Sequence, residues 1–100
     1  MHFLLTYDLA TDYLERRAEF RNAHLQLAWE AQERGELVLA GALGEPADRA
    51  LLVFNCDTPQ TPQLFAATDP YVTNGLVRAF HVRPWTTVVG DLAATPIRPD

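Results

Sequence analysis

Arg21 and His24 stand three residues apart in the stretch RNAH, and Asp69 immediately precedes Pro70 in TDPYVTNG. An imidazole, with an ordinary pKa of about 6.5, moves protons near neutrality. A carboxylate beside it fixes which ring nitrogen carries the proton and favours the charged ring. A guanidinium beside both can hold a substrate carboxylate or a developing enolate. Brought together, His24 would abstract a proton, Asp69 would orient the ring, and Arg21 would stabilise the anion left behind. Isomerisation or elimination on a small acidic or phenolic molecule is the chemistry such a set suits. Tyr71 follows Asp69 closely enough to add a phenol, or simply an aromatic packing surface.

These groups meet only if the chain folds to bring them together. Tyr13 to Arg34 reads as one helix, with Asp12 and Glu15 spaced as a capping box and Gly35 as a left-handed stop. On a wheel of about 100° per residue, Glu15, Glu19, Asn22, Gln26, Glu30 and Glu33 share a polar arc, while Tyr13, Phe20, Leu27, Ala28 and Ala31 lie opposite. Arg17, Arg21 and His24 break the pattern by falling inside the apolar arc. An inward arginine needs a carboxylate, several carbonyls or a wet cavity. One reading is structural, with Arg21 paired to an internal aspartate and His24 making a backbone hydrogen bond. The other is an anionic ligand. Of the acids, Asp69 is the leading partner. The residue before proline is driven toward extended backbone, so Asp69 can cap a turn that begins at Pro70. Asp8, at the end of the first strand, is the second candidate.

The remaining chain supplies strands at His2–Asp8, Glu36–Leu43, Ala50–Cys56 and Leu76 to about Val89. A short helix spans Gln63–Ala67, with Thr61 as its cap and Pro62 in its first turn. Gly41 inside the second strand suggests a bulge or a close approach, and Pro84 places the last strand at an edge or bends it. The order β-α-β-β-α-β is that of a ferredoxin-like α+β fold: a four-stranded antiparallel sheet with helices on one face. Residues 1–90 form this domain, and residues 91–100 read as a loose tail or one that packs against a neighbour. Both faces of the strands are apolar, yet helices cover only one. A second copy packed sheet to sheet, giving a homodimer with a barrel-like interior, is the simplest cover.

Bulk properties exclude several roles. The chain has 100 residues and a net charge of -5, and its eight cations are all arginine, scattered along it. No clustered basic face is available for nucleic acid or for an anionic membrane surface. No apolar run approaches the roughly 20 residues of a membrane span. The opening MHFLLTYDLA lacks a basic leader and reads as a strand. Cys56 alone can form neither an internal disulfide nor a structural zinc site, which points to the cytoplasm. No glycine-rich phosphate loop is present, and His2, His24 and His81 lack ligand spacing, so neither a cofactor nor a metal is expected. A metal shared by His24 and Asp69 is the less favoured alternative. His81 reads as a strand-face residue, Cys56 as a small buried hydrophobe, and Trp29 and Trp85 as packing or interface anchors.

RNAH on the first helix, LAGAL on the next strand, TDPYVTNGLV and HVRPW together resemble the YCII-like domain family, in order and spacing, from His2 to about Val89. The resemblance implies a ferredoxin-like α+β fold of the dimeric α/β-barrel type. It also implies a cleft in which His24 and Asp69 are the reactive pair, with Arg21 beside them and Gly41 leaving room. Related folds carry out cofactor-free isomerisation, elimination or oxygenation of small, often aromatic compounds. The leading expectation is therefore a cofactor-independent lyase or isomerase acting on a small molecule. The alternatives are a non-catalytic module that binds a small anion in a regulatory role, and a dimerisation unit whose His and Asp only support the fold.

Overall fold

A computed structural model describes residues 1–100. The elements run β1 (His2–Leu9), α1 (Tyr13–Glu33), β2 (Leu37–Gly44), β3 (Ala47–Asn55), α2 (Gln60–Thr68), α3 (Pro70–Thr73) and β4 (Val77–Trp85). The strands form one antiparallel sheet in the order β2-β3-β1-β4. The fold is ferredoxin-like α+β.

Strand alternation decides what each face does. Phe3, Leu5, Tyr7 and Leu9 of β1 point toward the helices and are buried, as are Leu52 and Phe54 of β3. Phe65 of α2 meets Phe54 edge to face, with ring centroids 5.4 Å apart. Ala28 and Ala31 are the buried residues in the C-terminal half of α1. On the opposite face Leu4, Leu51 and Val53 are half-buried, while Leu39 and Leu43 are 72% and 48% exposed. Asp8 on that face lies 3.6 Å from Arg49 and 3.6 Å from His81. His81 is thus a strand-face residue, and Asp8 stands across the sheet from the helices rather than beside His24.

Several local expectations are corrected. The β2–β3 turn is tighter than GEPADR suggests, because β3 begins at Ala47 and Gly44 pairs with it. Gly44 has a φ of 99°, and an added Cβ would meet the Pro46 carbonyl and Asp48 at 3.0 Å, so this position requires glycine. No bulge forms at Gly41, which pairs regularly with Leu51. Asp12 makes no capping hydrogen bond. Its carboxylate lies 3.9 Å from Arg16 instead. Helix α2 starts at Gln60, two residues before the start that Thr61 and Pro62 indicate, without a side-chain cap. Pro62 is tolerated there because N–H groups of the first turn have no helical acceptor to lose. Strand β4 ends at Trp85 and lies at the sheet edge, where Pro84 forfeits no ladder bond that the fold needs. Thr95 and Ile97 donate backbone hydrogen bonds to Thr87 and Val88. The Thr87 hydroxyl sits 2.7 Å from Nδ1 of the buried His2.

Candidate active site

The site is assembled where α1 passes over the junction of α2 and α3. Asp69 occupies that junction with φ −67° and ψ 124°, the extended backbone that Pro70 demands. Its side chain caps α3, as Oδ1 accepts the Tyr71 N–H at 3.0 Å. The capping expectation holds, but the cap is not the whole role. Asp69 is 0% exposed, and the Tyr7 hydroxyl donates to Oδ2 at 2.7 Å. His24 Nδ1 lies 2.9 Å from Oδ1 and 3.0 Å from Oδ2.

A buried carboxylate is tolerable when donors satisfy it, and Asp69 has three: the Tyr7 hydroxyl, the Tyr71 amide and the imidazole. Since a carboxylate only accepts, the imidazole carries its proton on Nδ1. In the neutral ring Nε2 is then an acceptor, and it has no partner in the protein. The Tyr71 ring stacks on the imidazole at 4.0 Å and 10°. Tyr13 braces Tyr71 edge-on, with ring centroids 5.6 Å apart. The carboxylate fixes one edge of the imidazole and the phenol ring covers one face, so its orientation is set before any ligand arrives.

Burial pushes the Tyr7 hydroxyl far above its ordinary range, and the Asp69 charge and hydrogen bond add to the effect. Tyr71 is pushed up to about 12, chiefly by burial and then by Tyr13, with Arg21 and Arg17 pulling the other way. In the unfolded chain both phenols ionise near 10.0. Above that pH the folded state holds protons the unfolded state has released, so stability falls as pH rises. Urea midpoints are expected to drop steadily from pH 10 towards pH 12. Tyr7→Phe should flatten that slope, while lowering stability at neutral pH by about 1–3 kcal/mol through the lost donor to Asp69.

His24, its side chain 16% exposed, opens onto a cleft of about 540 Å³ between α1 and β2. That volume is within the range of small-molecule sites. The room comes from small side chains. Ala40 and Ala42 of β2 face the helix, paired with Leu52 and Ala50 of β3, and all four line the cleft. Gly41 contributes only its backbone. By strand alternation its side points to the other face, where an added Cβ would meet nothing. The expectation that Gly41 clears space is thus corrected to its two neighbours. Arg17 and Arg21 also line the cleft, and no acidic side chain does. Arg21 is exposed and pairs with no internal aspartate; the arginines in ion pairs are Arg16, Arg34 and Arg49. The Arg17 guanidinium lies 5.9 Å from the Tyr13 ring centre.

The structure therefore brings His24, Asp69 and Tyr71 into contact and sets Arg21 and the Gly41 backbone on the same cleft. Trp29 is 62% exposed and lines the cleft instead of packing in the core. Cys56 is a half-buried thiol that donates to the Thr58 carbonyl at 3.3 Å. No group of three or more His, Cys, Asp or Glu side chains converges to hold a metal ion, and no helix is long and apolar enough to cross a membrane. Sequence reading missed Tyr7, Ala40 and Ala42. A tyrosine among the inward residues of β1 looks like core. The small residues alternating around Gly41 in LAGAL were the available signal for the cleft.

A ferredoxin-like α+β domain carrying a buried aspartate, an imidazole bound to it and an open cleft is the class that fold and site define. The profile of the YCII-related domain matches residues 1–86, and the chain belongs to that family. Two solved structures are similar. One is 5-chloro-2-hydroxyhydroquinone dehydrochlorinase (TftG) from Burkholderia phenoliruptrix AC1100, in complex with 2,5-dihydroxybenzoquinone. It has a TM-score of 0.73 and 19% identity over 87% of this chain and 95% of that one. The other is protein Atu4242 from Agrobacterium tumefaciens, with a TM-score of 0.56 and 12% identity over 93% of this chain and 96% of that one. At these identities the likeness is one of fold. No curated protein sequence matches the chain.

Proposed function

We propose that the protein is a small cofactor-independent enzyme of lyase or isomerase type, acting by acid–base chemistry on a small anionic or phenolic molecule. The observation that carries this reading is the imidazole held at 2.9 Å by a fully buried carboxylate while its second nitrogen lacks a protein partner beside the cleft. Nε2 of His24 takes a proton from a C–H or O–H of the substrate, and Asp69 stabilises the imidazolium that forms. The electron pair left on the substrate either expels a leaving group, which is elimination, or draws the proton back at another atom, which is isomerisation. Arg21 stabilises the anion in between. Tyr71 holds the ring by stacking and forms the wall beside it, and the Gly41 backbone contributes to the opposite wall. The dehydrochlorinase activity of TftG, a protein of the same fold, is consistent with the elimination branch.

The proposal includes a homodimer. The sheet face opposite the helices leaves Leu39 and Leu43 exposed beside half-buried Leu4, Leu51 and Val53, and a second copy is the occupant that matches a mixed apolar and charged surface.

The test is a panel of hydroxylated and chlorinated quinols and aromatic acids incubated with the protein in D2O. Proton NMR follows deuterium uptake, and an ion electrode follows chloride. Protein-dependent exchange or chloride release that His24→Gln abolishes is the expected result. Saturable binding with neither would overturn catalysis and leave a non-catalytic binding module in a regulatory role. Light scattering on the same samples reads the assembly, and a monomer at micromolar concentration would remove the dimer.

A further inference from the structure

The cleft is not uniform along its length. Arg17, Arg21, His24, Ala28, Trp29 and Gln32 of α1 all line it, and they fall in chain order along the helix axis. The cations lie toward the N-terminal end, His24 in the middle, and Ala28 and Trp29 beyond. At a rise of about 1.5 Å per residue, Arg21 precedes His24 by roughly 4.5 Å and Trp29 follows it by roughly 7.5 Å. Strand β2 contributes Leu37, Ala40 and Ala42, none of which can hydrogen-bond through its side chain. One end of the cleft is thus cationic, with neither arginine paired to an acid, in a chain whose net charge is -5. The other end carries Ala28, Leu37 and the exposed Trp29 indole, with Gln32 three residues further along the helix.

From this we infer that the ligand is bipartite: an anionic group held at Arg21, a reactive atom at His24, and an extended apolar ring body reaching Trp29, which sets ligand length. The inference rests on the acid–base reading only for the reactive atom; the charge and length terms are binding terms. A single-ring acid anchored at Arg21 ends near His24 and leaves Trp29 uncovered. A fused two-ring acid reaches it and buries the added ring against the indole and Ala28. Trp29 is then a specificity-determining residue, and Arg21 supplies a contribution common to all anions.

Calorimetric titration with benzoate, 2-naphthoate and 2-naphthalenemethanol tests both parts. The second ring removes apolar area from water, so 2-naphthoate should bind about tenfold or more tighter than benzoate. The uncharged alcohol should bind at least about fivefold more weakly than 2-naphthoate, because it forms no charge-assisted bond with Arg21. Arg21→Gln should weaken both acids by a similar factor and preserve their ratio. Trp29→Ala should reduce the ratio to about twofold, the loss expected when the indole's apolar surface is removed. Equal affinity for the two acids, an unchanged ratio in Trp29→Ala, or an alcohol that binds as well as the acid would each overturn the inference. So would a Trp29→Ala protein that changes oligomeric mass while keeping the ratio, since the indole would then be an interface anchor. None of these readouts involves turnover. Failure of the acid–base reading, seen as no exchange or product, is therefore distinct from failure here.

Discussion

Asp69→Asn is expected to lower turnover by about 10²–10⁴-fold while the protein stays folded. The reason is the donor count around the carboxylate. The Tyr71 amide, the Tyr7 hydroxyl and His24 Nδ1 all approach Asp69 at 2.7–3.0 Å. A carboxylate accepts from all of them; an asparagine offers one oxygen and one NH2. The Tyr71 amide cannot reverse its role, so the new carbonyl oxygen stays with it and α3 keeps its cap. The Tyr7 hydroxyl can rotate to accept. Nδ1 of His24 keeps the oxygen at 2.9 Å but meets an NH2 where the second oxygen stood at 3.0 Å, and the negative charge that stabilises the imidazolium formed on proton uptake is gone. The loss should appear in kcat with little change in KM, since Asp69 lies behind the imidazole and does not line the cleft. Stability should fall by about 1–3 kcal/mol, the usual cost of a buried group with an imperfect partner. An Asn variant that keeps wild-type kcat would show that the aspartate is a helix cap and nothing more.

Much of this arrangement was legible in the sequence, and the reasons are local. The long helix was readable because its polar arc is nearly unbroken. His24 and Arg21 were readable because they break its apolar arc. Asp69 stood out because proline restricts the residue before it, and that same restriction holds it extended. What escaped reading depends on the partner strand. Tyr7 alternates with Leu5 and Leu9 as any core residue would, and only the β1 position next to α3 turns its hydroxyl onto Asp69. The cleft escaped for the same reason. Ala40 and Ala42 are unremarkable until register sets them opposite Leu52 and Ala50, where larger residues would have filled the space under α1. The start of α2 was misplaced because Thr61 and Pro62 carry a good local cap signature, which burial of Pro62 and Phe65 against the sheet overrides. Arg21 was expected to find an internal acid or a wet cavity, and tertiary packing supplied the cavity.

His24→Gln is expected to reduce turnover to the uncatalysed background, a loss of about 10²–10⁴-fold from the acid–base step alone. Glutamine reaches a similar distance, and its NH2 can donate to Asp69, so the buried carboxylate keeps a partner and the packing under Tyr71 changes little. Its amide has no basic nitrogen to offer the substrate. Fold, assembly and affinity for an anionic ligand should therefore persist within about two- to threefold, because Arg17 and Arg21 are untouched and the uniform part of binding is theirs. The separation of the two effects is what makes the variant informative. A structural histidine would give the opposite pattern, with a lower melting temperature and unchanged turnover. His24→Ala sharpens the distinction. Truncation leaves a ring-sized gap, open to the cleft, bounded by the Tyr71 ring and by Asp69, which now lacks a donor. Free imidazole fits that gap and would meet the same carboxylate, so millimolar imidazole should restore part of the lost turnover in a saturable manner. Rescue of His24→Ala without rescue of an Asp69→Asn, His24→Ala double variant would show that the carboxylate orients the base. Equal rescue of both would mean that imidazole acts from solution, and the proposed geometry would then carry no part of the rate.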